Sequence, residues 1–279
     1  MRGRAVPVIA LLALAALAGG GCRAAATSRV LRVCADPNNL PFSDRSGQGF
    51  ENHLAALLAS DRGARLEYTW WAQRRGFLRN TLAASRCDVV MGMPLHAERV
   101  KTTQPYYRSS YMFVSRAGAG LDITSLADPR LRQLRVGVQL IGDDASNSPP
   151  AHALSGRGIV KNVVGYPVFG DYARSSPLAP IVDAVENRDV DIAIVWGPTA
   201  GYFARRRPVP LELRPVAPDP AFPALPFAFD IAMAVRPGDA ALAAELDDFI
   251  GRRRGDIERV LHDYGVPAIK DEAHATVTE

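Results

Sequence analysis

The sequence has few of the residues from which metal sites are built. Of its 279 residues only three are cysteine and five are histidine, and the histidines are scattered singly. Neither residue type recurs at the spacing of a zinc site, which needs four ligands around one ion. No loop has the run of oxygen ligands that a hard cation such as calcium requires. We therefore predict no metal and no cofactor.

A nucleophile with its general base is also missing from the sequence pattern. The one group of carboxylates that could perform chemistry consists of Asp36, Asp143 and Asp144. The adjacent pair Asp143 and Asp144 is more often found making hydrogen bonds within a turn than performing catalysis. The sequence therefore predicts a protein that is not an enzyme.

The N-terminus carries an apolar run, Val6 to Ala18, which follows Arg2 and Arg4 and is too short to span a bilayer. This pattern predicts a secretory signal over residues 1–26 and a periplasmic protein. Two processing sites remain open. One is lipoprotein cleavage before Cys22, although Gly19 replaces the leucine expected there; the other is ordinary cleavage after residues 24–26.

Removal of this signal takes away three arginines, so the formal charge falls from +4 to +1. A nucleic-acid role thereby loses its main support.

Export also permits disulfides, and Cys34 and Cys87 remain after cleavage. A bridge needs their Cα atoms within about 7 Å. The alternative is two small buried thiols.

Beyond the signal, strands and helices alternate along the chain, which is typical of an α/β fold with parallel sheets. The patterns predict strands over 31–36, 66–71, 88–93, 110–115, 134–139, 163–168, 190–196, 211–217 and 227–236. They predict helices over 50–60, 76–84, 178–187, 198–206 and 240–264, and a helix start near 147.

Two similar series of this kind predict two lobes joined by a two-segment hinge. Five prolines between 215 and 226 mark a connection, because proline cannot donate to a strand ladder. The strand at 227–236 then returns to the first lobe. We expect lobe 1 over 27–115 and 226–267, lobe 2 over 116–225, and a mobile tail over 268–279. The ligand site lies between the lobes, at the carboxyl ends of the strands.

Long stretches of the chain resemble a known family. "LRVCADPNNLPFS", "RCDVVMGMPLHAERVKTTQPYY" and "VDIAIVWGPTAGYF" are similar to the bacterial periplasmic solute-binding proteins of the amino-acid-receptor type. "LEYTWWAQRRGFLRNTL" and "LIGDDASNSPPAHAL" resemble a branch of that family associated with quinoprotein methanol dehydrogenases, which contain pyrroloquinoline quinone (PQQ). The resemblance implies a two-lobed periplasmic binding protein fold and such a dehydrogenase as partner.

The resemblance also implies a clamp for a zwitterionic amino acid, and the chain departs from it. Arg99 falls on the arginine that binds the ligand carboxylate, and a solvated surface arginine in the charged run "HAERVK" is the open alternative. Asp143 or Asp144 stands where a hydroxyl donor is expected, and Trp196 replaces the aspartate that binds the ammonium. A carboxylate facing a carboxylate is repulsive, and a cation–π contact contributes only about 1–2 kcal/mol. Capture of amino acids is therefore not expected.

The same region is rich in aromatic and arginine side chains, which dominate protein-binding hot spots. We expect a cleft that grips a segment of the dehydrogenase or helps it to mature. For Phe42 and Tyr202, packing in the core is an open alternative. Besides the residues of the clamp, the predicted cleft contains Asp36, Asn38, Asn39, Phe42, Trp70, Trp71, Arg74, Arg75, Tyr106, Tyr107 and Tyr202.

Two other functions are open. The lobes and hinge equally suit an importer receptor for a small apolar or cationic solute. A remote alternative is a dehydratase-like enzyme, since some solute-binding folds carry a carboxylate in the cleft for that reaction. A sensor domain is less expected, because no membrane-spanning or signalling segment follows in the sequence.

Overall fold

The computed structural model describes residues 29–142, 147–168 and 172–269. Three predictions lie outside these residues in whole or in part. They are the signal at 1–26, the aspartates at 143 and 144, and the tail at 268–279, of which residues 270–279 are not described.

The described chain alternates strands and helices. Its strands are β1 (Arg29–Ala35), β2 (Asn38–Asn39), β3 (Ser43–Asp44), β4 (Ala64–Trp70), β5 (Val89–Pro94), β6 (Lys101–Arg116), β7 (Val136–Leu140), β8 (Val163–Pro167), β9 (Ile192–Trp196), β10 (Leu211–Pro215) and β11 (Ala228–Val235). Its helices are α1 (Phe50–Asp61), α2 (Phe77–Asn80), α3 (Pro149–Gly156), α4 (Pro180–Glu186), α5 (Gly197–Ala204), α6 (Ala240–Arg252) and α7 (Arg254–Asp263), with a 3₁₀ turn at Pro129–Arg132.

The main sheet has two halves with parallel centres. In half I, β1 pairs in parallel with β4 and β5, and β11 is antiparallel to β5. In half II, β7 pairs in parallel with β8 and β9. Antiparallel strands join the two halves, so the sheet is mixed and continuous in the order β4-β1-β5-β11-β6-β9-β7-β8.

Strand β6 connects the halves and is much longer than the sequence predicted. Its residues 101–110 pair with β11 in half I, and its residues 111–116 pair with β9 and β10 in half II. The prediction of a strand over 110–115 missed the first part because Pro105 interrupts it. The ladder between β6 and β11 is irregular at that residue, as expected where proline cannot donate a hydrogen bond.

The strands of half I are covered on both faces, which explains their continuous apolar sequence. Leu31 and Val33 of β1 point toward α1, α6 and α7, whereas the intervening Cys34 points to the opposite face beside Phe77. The same alternation divides the residues of β5 between the two faces. Half II likewise has an apolar cluster on each face.

The single helix predicted over 240–264 is two helices. Helix α6 ends before Arg253, whose backbone leaves the helical region at φ −106° and ψ 17°. Gly251 and Gly255 flank the break, and glycine lowers helix stability by about 1 kcal/mol relative to alanine. Arg252 and Arg253 both form ion pairs with Asp61 at the end of α1, which holds the broken segment in place.

The helix predicted over 76–84 is also shorter, because only the four residues of α2 are helical. None of the helices among the described residues combines the length and the apolar character needed to cross a bilayer.

The pairing of β1 with β5 brings two cysteines together. Cys34 lies in β1 and Cys87 just before β5, and their Cα atoms are 5.4 Å apart. The structure joins them in a disulfide that closes a loop with a sequence separation of 53 residues. Both side chains are fully buried, so the bond is shielded from solvent reductants in the folded protein.

We predict that this disulfide contributes strongly to stability. In the variant with Cys34→Ala and Cys87→Ala, the free energy of unfolding should fall by roughly 2–4 kcal/mol, since a cross-link over a loop of this length restricts the unfolded chain. Equilibrium unfolding in urea measures the change. Addition of dithiothreitol should lower the midpoint of the natural protein and leave that of the variant unchanged. A midpoint of the natural protein that does not respond to reductant would contradict the prediction.

Candidate functional site

A cleft of about 410 Å³ lies between the two halves of the sheet. Its walls come from the carboxyl ends of β1, β5, β7 and β9, from the crossing strands β6 and β11, and from the loops after β4 and β8. This position is the usual ligand site of open α/β sheets. Six residues of the predicted site line it: Asp36, Asn38, Asn39, Phe42, Tyr107 and Trp196.

One wall of the cleft is aromatic. The Trp196 ring meets the ring of Tyr111 at a centroid distance of 5.4 Å and that of Phe229 at 5.8 Å, both edge to face. These rings come from β9, β6 and β11, three strands that are neighbours through β6. Each ring is partly exposed and lines the cavity. The wall therefore offers apolar surface and ring faces to a ligand.

Trp196 is held by the local structure at the end of β9. It is the last residue of that strand and the N-cap of α5, with φ −58° and ψ 131°. Its backbone N–H donates to Oε1 of Gln139 at 2.8 Å, and Gln139 is buried at the end of β7. The amide side chain thus fixes the backbone, and the packed rings fix the indole.

Asp36 follows β1 and is buried at the base of the cleft. Its Oδ1 accepts the backbone N–H of Asn38 at 2.8 Å, and its Oδ2 accepts the backbone N–H of Gln73 at 2.6 Å. The hydroxyl of Tyr172 also donates to Oδ2. Three donors therefore satisfy this carboxylate without a ligand.

Two of these contacts extend across the cleft. Tyr172 follows β8 in half II, and its pKa is raised by burial and by its hydrogen bond to Asp36 in half I. Nδ2 of Asn38 donates to the carbonyl of Arg174 at 2.8 Å. The guanidinium of Arg74 lies over the Tyr172 ring at 4.7 Å. The halves are therefore held together at the rim by polar and cation–π contacts.

Glu51 is a carboxyl that the sequence did not predict in the site. It lies in the first turn of α1 and lines the cleft. Its backbone N–H donates to the carbonyl of Phe42 at 2.9 Å, which sets the start of the helix against the cleft. Burial, and secondarily the negative charge of Asp36, raises its pKa to about 8. Among the described residues its side chain has no hydrogen-bond or ion-pair partner.

The two adjacent tryptophans do not line the cleft. The Trp70 ring stacks on Tyr68 at 4.5 Å, with the guanidinium of Arg45 at 5.6 Å. Trp71 lies beyond the strand end, is 38% exposed, and has the guanidinium of Arg86 at 5.8 Å. Both rings therefore pack against arginines outside the cavity.

The predicted arginines line a second cavity, of about 740 Å³, behind the loop after β4. Arg74, Arg75 and Arg99 border it, and Arg99 has a left-handed backbone with φ 66°. The position that resembles the carboxylate clamp therefore faces away from the cleft. Gln73 and Met93 line both cavities and form the partition between them.

Tyr106 and Tyr202 are core residues. The Tyr106 hydroxyl donates to the carbonyl of Met91 at 2.9 Å, and burial raises its pKa well above the usual value. Tyr202 stacks on Tyr264 at 5.7 Å, away from the cavity. Phe42 does both things, because it lines the cleft and packs against Phe50 at 5.4 Å.

Several cleft residues were missed from the sequence: Glu51, Gln73, Tyr111, Gln139, Tyr172, Thr199 and Phe229. A signal existed for Glu51. Gly92 interrupts the apolar strand β5, and an isolated glycine in a strand often marks a close approach. A Cβ at that position would collide with Oε1 of Glu51.

Charge is distributed unevenly in the cleft. Asp36 and Glu51 are carboxyls, and none of the described lining residues is lysine, arginine or histidine. No group of three or more histidine, cysteine or acidic residues in the described part of the chain is placed to hold a metal ion. The described lining therefore offers no cationic side chain to an anionic group.

Comparisons with known proteins agree with this fold. Residues 31–264 match the family model of the bacterial extracellular solute-binding proteins, family 3. Protein MoxJ of Methylorubrum extorquens AM1 is 32% identical over 251 residues, which is 86% of this chain and 81% of MoxJ.

Two solved structures are similar over nearly the same span. The periplasmic binding protein XoxJ of Methylobacterium extorquens AM1 is 34% identical with a TM-score of 0.71, and covers 87% of this chain and 100% of its own. MxaJ of Methlophaga aminisulfidivorans MPT is 27% identical with a TM-score of 0.72, and covers 86% and 100%. The two-lobed periplasmic binding protein fold is thus confirmed, and the chain belongs to family 3 of the bacterial extracellular solute-binding proteins.

Proposed function

We propose that this protein is a non-catalytic periplasmic accessory protein of a PQQ-dependent methanol dehydrogenase system. In this proposal it binds the dehydrogenase, or assists its maturation, through the cleft between its lobes. The similarity to MoxJ and XoxJ over most of the chain supports the assignment to this branch. The dehydrogenase itself comes from the resemblance of the sequence to that branch.

The observation that carries the proposal is the aromatic wall at Trp196. An amino-acid receptor needs a cation for the ligand carboxylate and an acid for its ammonium. The resemblance of the sequence to that family puts the indole of Trp196 at the position of the acid, and the described lining contains no cationic side chain. Apolar and aromatic surface of this kind suits an apolar side chain of a protein partner.

The environment of Asp36 supports a non-catalytic role. A general acid or base must reach a substrate proton, but this carboxylate accepts three hydrogen bonds from the protein. Its role in the proposal is to hold the loops around the cleft. Asp143 and Asp144, the other members of the predicted cluster, lie outside the described residues.

The cellular location is part of the same proposal. The family supports an extracellular or periplasmic protein. A buried disulfide between Cys34 and Cys87 also suits an oxidising compartment. We propose export by the signal at residues 1–26, and a lipid anchor at Cys22 is the less favoured alternative.

The lobe boundaries are proposed as well. Lobe 1 would comprise 27–115 and 226–267, and lobe 2 would comprise 116–225. The pairing of β11 with β5 supports the return of the chain to lobe 1. Residues 111–115 of β6 pair with β9 and β10 in half II, so the pairing favours a first crossing near residue 110 rather than after 115. The chain would then cross between lobes in β6 and in the proline-rich segment before β11.

A second candidate is an importer receptor for a small apolar or cationic solute. A volume of about 410 Å³ favours it, because pockets for small molecules commonly have this size. The contacts of Tyr172 and Asn38 across the rim would then enclose the solute.

We predict that Trp196→Ala reduces capture of the dehydrogenase about tenfold or more, because truncation of an aromatic hot spot commonly costs 2 kcal/mol or more. The measurement is the yield of dehydrogenase captured by the tagged protein from the periplasm of methanol-grown cells. Trp71→Ala is the matched control, since that indole is exposed and lies outside the cleft.

Circular dichroism must show that both variants are folded. Recovery of a transporter complex without the dehydrogenase would reject the proposal in favour of the importer receptor. If Trp196→Ala captures as much dehydrogenase as the natural protein does, the aromatic wall is not the surface that binds the dehydrogenase.

We also predict that Tyr172→Phe shifts the protein toward an open form. The change removes the hydroxyl that donates to Asp36 across the cleft, and a hydrogen bond to a charged group contributes roughly 1.5–3 kcal/mol. Fluorescent labels on the two lobes should report a larger mean separation. Tyr166→Phe is the control, because Tyr166 lies in half II without a contact to Asp36. Equal separations in both variants would contradict the role of this hydrogen bond.

A further inference from the structure

Glu51 is the group in the cleft that the proposed function leaves unexplained. Its carboxyl lines the cavity and has no partner among the described residues. The carboxyl of Asp36, by contrast, accepts three hydrogen bonds. A desolvated carboxyl without a partner costs free energy, which a suitable ligand would recover.

The surroundings of Glu51 are built to accommodate it. Gly92 of β5 leaves the space in which Oε1 lies, since a Cβ there would collide with that oxygen. The start of α1 is fixed by the hydrogen bond from Glu51 N–H to the carbonyl of Phe42. The backbone of α1 therefore sets the position of the side chain, and the backbone of β5 leaves room for its carboxyl.

We propose that Glu51 forms a cation subsite that binds an alkylammonium group, with the apolar body of the ligand against the aromatic wall. The proposal rests on the cleft of the proposed function and names the chemistry that this cleft selects.

An ammonium fits these surroundings better than other groups. It supplies both a positive charge and donors, and the described lining provides acceptors but no cation of its own. Ring faces near the path of the ligand add cation–π attraction. Phe42, Tyr107 and Trp196 supply these rings in the same cavity. A carboxylate or phosphate would instead meet two carboxyls.

The protonation of the site determines when it binds. Because the pKa of Glu51 is about 8, its carboxyl is mostly neutral at pH 7. The titratable groups that face it are Asp36 after β1, Tyr68 of β4, and Tyr106 and Tyr107 of β6. Burial raises the pKa of all three tyrosines, so they stay neutral while Glu51 ionises. Binding of an ammonium should therefore release a proton from Glu51.

Titration calorimetry with 2-phenylethylamine and with the neutral 2-phenylethanol tests the subsite. The natural protein should bind the amine about 10- to 100-fold more tightly, as expected for hydrogen bonds to a charged group. Glu51→Gln keeps the shape of the side chain and should abolish this preference. Glu258→Gln, at an exposed position on α7, is the matched control and should retain it.

The pH dependence provides a second readout. Affinity for the amine should rise about tenfold per pH unit up to pH 8 and then level off, because only the ionised carboxylate attracts the cation. In Glu51→Gln this rise should disappear. Heats measured in two buffers of different ionisation enthalpy should show proton release by the natural protein.

Equal affinity for amine and alcohol, or a preference for the amine that persists in Glu51→Gln, would overturn the proposal. A separate arm identifies the source of the ammonium. Loss of dehydrogenase capture by Glu51→Gln would assign it to a lysine of the dehydrogenase; unchanged capture with lost amine binding would assign it to a free amine. If the protein does not bind the amine, the subsite at Glu51 is rejected, but the capture experiment with Trp196→Ala still tests the accessory function. The two proposals can therefore be rejected independently.

Discussion

The structure depends on one continuous strand that belongs to both halves of the sheet. Strand β6 pairs with β11 along its first part and with β9 and β10 along its second part. Because one strand carries ladders of both halves, this element fixes where the halves meet. It also brings Tyr107 and Tyr111 to the cleft, where they face residues from strands that are remote in sequence. The aromatic wall is thus a consequence of how the sheet is connected.

The charged side chains that line the cleft distinguish it from the site of an amino-acid receptor. Amino-acid receptors neutralise both ends of a zwitterion, whereas this cavity has two carboxyls and an indole, and its described lining has no cation. The predicted arginines Arg74, Arg75 and Arg99 border a neighbouring cavity instead, and the guanidinium of Arg74 also stacks on Tyr172 at the rim of the cleft. The two carboxyls also differ from each other, because protein donors satisfy Asp36 and leave Glu51 to the cavity. Selectivity in such a site comes from one unpaired group in apolar surroundings.

The alternation of apolar segments was sufficient to predict most strands and the order of the elements, because buried parallel strands have a continuous apolar sequence. It failed at Pro105, where an irregular ladder carries the strand past a proline. It failed again at Arg253, where the helical pattern continues through a break that ion pairs with Asp61 stabilise.

The candidate site was harder to predict than the fold. Residues that end strands, such as Asp36 and Trp196, could be placed in the cleft from their positions alone. Glu51 was missed although Gly92 in β5 marked a close approach, because a glutamate in the first turn of a helix is ordinary at a helix N-terminus. Arg99 was misplaced, because it borders the neighbouring cavity. Its backbone is left-handed, a conformation that sequence does not reveal for an arginine.

The partition between the two cavities has a mechanical consequence. Gln73 and Met93 form a thin wall with the cleft on one side and the arginine-lined cavity on the other. Methionine is unbranched and changes rotamer easily. A ligand in the cleft that shifts the Met93 side chain would therefore also change the shape of the arginine-lined cavity. The two cavities are therefore not independent in shape, because one flexible side chain lines both of them.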